Sequence, residues 1–171
     1  TIEAIAVKSL NVINIDAQKC LEFRKADGDP DLAIQHCTSA IISGQLSNNR
    51  LATLFYKRGN AWAKKREFDP SLADYNEALR LKPQYADAFF NRGQTWYSKQ
   101  DYDRGIADHS EAIRINPRDG EAFYFRGWGY YSKGQYDRAI ADYNEAIRLK
   151  PDFEWFYINR GLAWEMKGDL D

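Results

Sequence analysis

From Thr53 onward, apolar and polar positions follow one period. A bulky apolar residue (Phe55, Phe89, Phe123, Tyr157) is followed by a glycine (Gly59, Gly93, Gly127, Gly161) and then an aromatic (Trp62, Trp96, Tyr130, Trp164). A small residue (Ser71, Gly105, Ala139), an alanine (Ala78, Ala112, Ala146) and a proline (Pro83, Pro117, Pro151) complete the string, and the prolines stand 34 residues apart. The pattern predicts helices over 51–65, 68–81, 84–99, 102–115, 118–133, 136–149 and 153–167. Proline lacks an amide and disfavours helix in the residue before it, so each one ends a helix. Asp69, Asp103, Asp137 and Asp171 fall in helix first turns, where an acid suits the dipole. Glycine inside a helix costs about 1 kcal/mol relative to alanine, so close packing has to offset it.

These spaced positions resemble the tetratricopeptide repeat (TPR) family, whose period is 34 residues. The resemblance implies an all-α fold, a right-handed superhelical solenoid of antiparallel helix pairs, A and B, in about four and a half units. Residues 1–14 stand outside the repeat, 15–47 form a degenerate first unit, and 52–85, 86–119 and 120–153 are regular units. Residues 154–171 hold the first helix of a further, truncated unit, and the chain reads as a piece of a longer protein. On the family pattern each glycine lets helix B approach helix A, and Trp62, Trp96, Tyr130 and Trp164 fill the wedge between helices. The arginine before each glycine (Arg58, Arg92, Arg126, Arg160) is expected to pair with the aspartate of helix B.

The first unit departs from this pattern. Leu21 stands where glycine is expected, while Ala33 and Ala40 keep the step of Ser71 and Ala78. Ile2, Ile5, Leu10, Val12 and Ile13 favour packing of the first 14 residues as a cap. The two cysteines, Cys20 and Cys37, take the register places of Arg58 and Tyr75, on facing sides of helices A and B. They form either a disulfide or two reduced, buried thiols. The stretch from Asp29 to Gly44 also resembles the first repeat of exported bacterial TPR proteins. That resemblance implies that Cys20 pairs with Cys37 and that the protein is periplasmic or secreted, with a cytoplasmic location as the alternative.

Charge is balanced, 24 basic against 25 acidic residues, which gives no footprint for nucleic acid or a membrane surface. No apolar run is long enough to span a bilayer, so no membrane insertion is expected. His36 and His109 lie in different units; His109 replaces Tyr75 and Tyr143 and reads as a satisfied structural residue. Cys20, Cys37 and His36 lack a fourth zinc ligand, and the glycines follow the repeat rather than a phosphate loop. Asp74/Glu77, Asp108/Glu111 and Asp142/Glu145, with Arg80, Arg114 and Arg148, read as solvated helix surface. No enzyme activity, cofactor or metal is expected.

Aromatics make up 15% of the chain, more than the repeat positions require. In TPR arrays the A helices line the concave face. By register that face carries Tyr56, Asn60, Phe90, Asn91, Gln94, Tyr97, Tyr124, Phe125, Trp128, Tyr131 and Asn159, with Lys57, Trp155, Ile158 and Leu162 beside them. The rings either anchor a ligand or pack between neighbouring A helices. The TPR groove that grips a chaperone's C-terminal carboxylates is matched here by Asn60 and Asn91, but Tyr56, Glu121 and Phe125 replace its basic residues. Chaperone-tail binding is therefore not expected. The reading is a non-catalytic scaffold that binds an apolar protein or peptide segment, with amides of Asn60, Asn91 and Asn159 holding its backbone. The alternatives are a self-assembling module, with homo-oligomers formed through the terminal helix, and the targeting domain of a larger protein.

Overall fold

The structure, a computed structural model, describes residues 15–24, 28–44 and 46–168. The expected N-terminal cap, and the expected helix-B start at Leu170 and Asp171, lie outside the described residues. Two compact units divide the chain, Thr1–Gln84 and Tyr85–Asp171.

The described residues form an all-α array of antiparallel helix pairs. The first unit holds α1 (15–22), α2 (Pro30–Ile42), α3 (Asn48–Lys64) and α4 (Phe68–Leu81). The second holds α5 (Ala86–Ser98), α6 (Tyr102–Ile115), α7 (Gly120–Ser132), α8 (Tyr136–Leu149) and α9 (Glu154–Lys167). The three B helices α4, α6 and α8 match their predicted spans end to end, because a proline follows each closely. The A helices of the second unit begin later than predicted. For α7 the reason is the Asp119 carboxylate, which accepts the backbone amides of Glu121 and Ala122 at 3.0 and 3.2 Å and fixes the helix start.

The A–B turns repeat as closely as the helices. Arg66, Gln100, Gly134 and Gly168 share one register position, and all adopt a left-handed backbone, with φ of 63°, 61°, 71° and 86°. The next amide closes the turn onto the conserved-register aromatic: Glu67 N–H to Trp62 O, Asp101 to Trp96 and Gln135 to Tyr130, at 2.9–3.0 Å. Among those aromatics, Tyr130 packs against the buried cluster of Ala139, Ile140, Tyr143 and Ala163 on the facing helices. Trp62, Trp96 and Tyr130 are half-buried and Trp164 is exposed, each with a cation over its face: Lys65, Arg104, Arg138 and Lys167. Lys65 and Lys167 stand at the ends of the A helices, whereas Arg104 and Arg138 lie at the starts of the B helices.

Tyr75, His109 and Tyr143 on the B helices also lie between the helices, and all three are fully buried. A Cβ at Gly59, Gly93 or Gly127 would lie 2.9–3.0 Å from the ring opposite. Glycine is therefore required by the ring as well as by the approach of the helices. Beside each ring the predicted arginine–aspartate pair is present and bidentate: Arg58–Asp74 at 2.8 Å for both bonds, Arg92–Asp108 at 2.8 and 2.6 Å, and Arg126–Asp142 at 2.8 Å for both. Asp74, Asp108 and Asp142 are thus not surface residues; they are 5–6% exposed. Burial pushes each of these carboxyls up, against the pull of its arginine. Glu77, Glu111 and Glu145 do pair with Arg80, Arg114 and Arg148 on the solvent side.

The first pair is built differently. Cys20 and Cys37 are bonded, with Cα atoms 4.9 Å apart, and the bridge lies among Ala17, Ala40 and Leu54. Leu21 packs against this cluster.

Candidate functional site

In the second unit the A helices α5, α7 and α9 lie side by side, and their predicted groove residues share one network of rings. Phe90 meets Phe125 edge-on at 5.5 Å, Tyr124 meets Phe125 at 5.0 Å, and Tyr97 meets Trp128 at 5.0 Å. Tyr124 stacks on Phe156 of α9 at 4.8 Å, and Tyr131 tilts against Tyr136 at 5.6 Å. B-helix residues complete the network. His109 lies 5.1 Å from Phe90 and is stacked 5.9 Å from Phe125, and Tyr143 lies 5.7 Å from Tyr124. The surplus of rings is therefore consumed largely by packing. His109, Tyr143 and Phe156 were not singled out as partners of these rings, although the common register of Tyr75, His109 and Tyr143 carried the signal.

Exposure divides the predicted positions. Tyr97 is buried and its hydroxyl donates to Phe125 O at 3.0 Å, so it braces α5 against α7 and offers no surface. Burial drives its phenol pKa far up. Phe90, Asn91, Gln94, Tyr124, Phe125, Trp128, Tyr131 and Asn159 keep part of their surface in solvent. Asn159 donates to Tyr124 Oη at 3.0 Å and to Trp155 O at 2.8 Å, which ties α9 to α7. None of these side chains carries a formal charge. Glu121 at the start of α7 is engaged by Lys150 at 2.6 Å.

In the first unit, Asn60 is buried, because its amide oxygen accepts the Tyr75 hydroxyl at 2.7 Å. Tyr56 is half-buried, 6.2 Å from Tyr75. Lys57 donates to Phe23 O at 2.8 Å, and burial lowers its pKa.

His109 is structural but unsatisfied: neither ring nitrogen has a hydrogen-bond partner. Burial, helped by the Arg126 charge, lowers its pKa to about 3. His36 meets Asp16 of α1 through Nδ1 at 2.7 Å. The described residues hold no group of three or more His, Cys, Asp or Glu placed to bind a metal ion. No described helix is long and apolar enough to cross a membrane.

The family model described as TPR repeat matches residues 59–100 and 129–168. Among curated proteins none matches the sequence. Among solved structures, MamA protein superposes with a TM-score of 0.79 at 25% identity, covering 94% of this chain and 83% of that one. YrrB, described as a TPR protein with an unusual peptide-binding site, gives 0.71 at 19% identity, covering 83% and 71%. The first TPR of Spaghetti (RPAP3), bound to an HSP90 peptide, gives 0.68 at 17% identity, covering 72% and 96%. The period, the ring-against-glycine seat, the repeated arginine–aspartate pair and these matches agree: the chain carries tetratricopeptide repeats, matched by the family model at residues 59–100 and 129–168.

Proposed function

We propose that this protein is a non-catalytic scaffold that holds an apolar protein or peptide segment on the face shared by α5, α7 and α9. The observation that carries the reading is a run of partly exposed, uncharged side chains, Phe90, Phe125, Trp128 and Tyr124, interleaved with the amides of Asn91, Gln94 and Asn159. Their rings are already fixed by edge and stacking contacts, so binding loses little side-chain entropy. Rings supply contact area and amides can meet a peptide backbone. Absence of charge disfavours an acidic tail. YrrB and Spaghetti (RPAP3) are described with a peptide-binding site and a bound peptide, which supports peptide recognition by this fold.

A random peptide library displayed on phage and selected on the immobilised protein tests this. Phe125→Ala and Gln94→Lys are made separately, with the fold checked by circular dichroism. Selected peptides should be apolar and uncharged, and each variant should weaken them at least tenfold. No enrichment, or peptides indifferent to both variants, would remove this face from consideration.

The Cys20–Cys37 bond further supports an oxidising compartment, periplasmic or extracellular. Thiol alkylation in intact cells, without reductant, should leave both cysteines unmodified.

A further inference from the structure

One register place on the A helices, directly after the glycine, carries Asn60, Gln94 and Trp128. In α3 this place serves the core. Asn60 is buried and accepts the Tyr75 hydroxyl of α4 at 2.7 Å. The next two helix pairs give that bond up, each in its own way. In α5–α6 the tyrosine is replaced by His109, which has no hydroxyl to offer, and neither of its ring nitrogens is bonded. In α7–α8 the tyrosine is kept as Tyr143, but Trp128 replaces the amide, and an indole accepts no hydrogen bond. The Tyr143 hydroxyl is left without a partner. A buried polar group without a partner lowers stability, so the exchange at this place is made against the fold.

What the exchange yields is two donors at the surface. Gln94 and Trp128 keep part of their surface in solvent, and among the described residues no hydrogen bond engages the Gln94 side-chain amide or the Trp128 indole N–H. Trp128 is braced edge-on by Tyr97 at 5.0 Å and by Tyr102 at 5.7 Å, which fixes its ring. One turn earlier on the same helices, Phe90 and Phe125 meet edge-on at 5.5 Å. Both A helices have their own B partners, α6 and α8, in the chain.

We propose that the occupant of this face is a proline-rich segment in the polyproline II conformation, with Gln94 and Trp128 donating to its backbone carbonyls; this rests on the peptide-binding reading above. Three features select that conformation. Polyproline II makes no internal hydrogen bonds, so its carbonyls need donors, whereas the carbonyls of a helical ligand are already spent. Proline has no N–H, so the ligand strands no donor of its own against the rings of Phe90 and Phe125. A polyproline II turn of three residues advances about 9 Å, and packed helices stand about 8–10 Å apart. Residues three apart in the ligand therefore face Gln94 on α5 and Trp128 on α7. The uncharged face suits such a segment, which needs no charge to be recognised.

A fluorescein-labelled peptide of ten prolines serves as probe, beside an alanine–leucine peptide of equal length held helical by a hydrocarbon staple. Fluorescence anisotropy should show saturable binding of the proline peptide, at least tenfold tighter than that of the helical one. Trp128→Phe keeps a ring and removes the N–H; Gln94→Met keeps the length and removes the amide. With the fold checked by circular dichroism, each should weaken the proline peptide about fivefold, as expected for one hydrogen bond. In the unaltered protein the nuclear magnetic resonance signal of the Trp128 indole N–H should shift on titration. Tighter binding of the helical peptide, proline binding that leaves the Trp128 signal in place, or no proline binding at all overturns the proposal. The displayed library, open to any sequence, then decides separately whether the peptide-binding reading survives.

Discussion

The first helix pair and the three that follow solve one packing problem by different chemistry. In α3–α4, α5–α6 and α7–α8, a ring lies on a glycine and a bidentate ion pair locks the crossing. In α1–α2 the register places of Arg58 and Tyr75 are held by Cys20 and Cys37, and a covalent bond replaces both ring and ion pair. Leu21 is then tolerated at the glycine place, since no ring needs the space. A polar contact across the helices persists with its order reversed: the acid, Asp16, is on helix A and its partner, His36, is on helix B. The two designs fail under different conditions. The covalent pair depends on redox state, whereas the ring-and-ion pairs depend on buried polar groups.

The widest gap should open when one partner of an ion pair is removed. Arg92→Met leaves Asp108 buried without its cation and should cost about 3 kcal/mol, near the low end for a buried pair because Arg92 is partly exposed. Chemical denaturation measures it. His36→Ala, which breaks the more exposed pair, should cost about 1 kcal/mol or less. An equal loss in both variants would erase the contrast. Next, Cys20→Ser with Cys37→Ser should lose about 3 kcal/mol, as expected for a loop of this size. Hydrogen exchange should place the loss in α1 and α2 and leave α5–α8 unchanged.

Acid separates the designs further. Burial lowers the His109 pKa to about 3 in the fold, from the 6.5 of an ordinary imidazole. The neutral ring is at full stability above 6.5. Below that value the unfolded chain takes up the proton first, so stability falls, by about 2 kcal/mol at pH 5. His109→Phe should flatten this slope in a pH series of denaturation midpoints. The smallest effect comes from glycine. Gly161→Ala has free space and should gain about 0.5–1 kcal/mol from helix propensity, whereas Gly127→Ala presses on Tyr143 and should lose stability. A matching gain at both would contradict the ring-on-glycine seat.

The period fixed most of the fold. Proline placement set the B-helix ends, and the arginine–aspartate pairs were foreseen from their recurrence. Two assignments failed for one reason: a repeat position says that a residue type is needed without saying which surface needs it. Asp74, Asp108 and Asp142 turned out to be buried, and His109 to be unsatisfied. The groove list mixed two populations. Asn60 and Tyr97 hold the core together, while Phe125 and Gln94 reach solvent, and a register count cannot separate them because both lie on A helices a few residues apart.

The sequence by itself determined the helix pairs, their order, the glycine positions and the repeat, because each follows from local propensity and a period that only stacked helices satisfy. The tertiary structure decided which ring is buried and which carboxylate loses its water. Those outcomes depend on what stands opposite each side chain. That neighbour is distant in sequence, so its identity enters only when the helices meet.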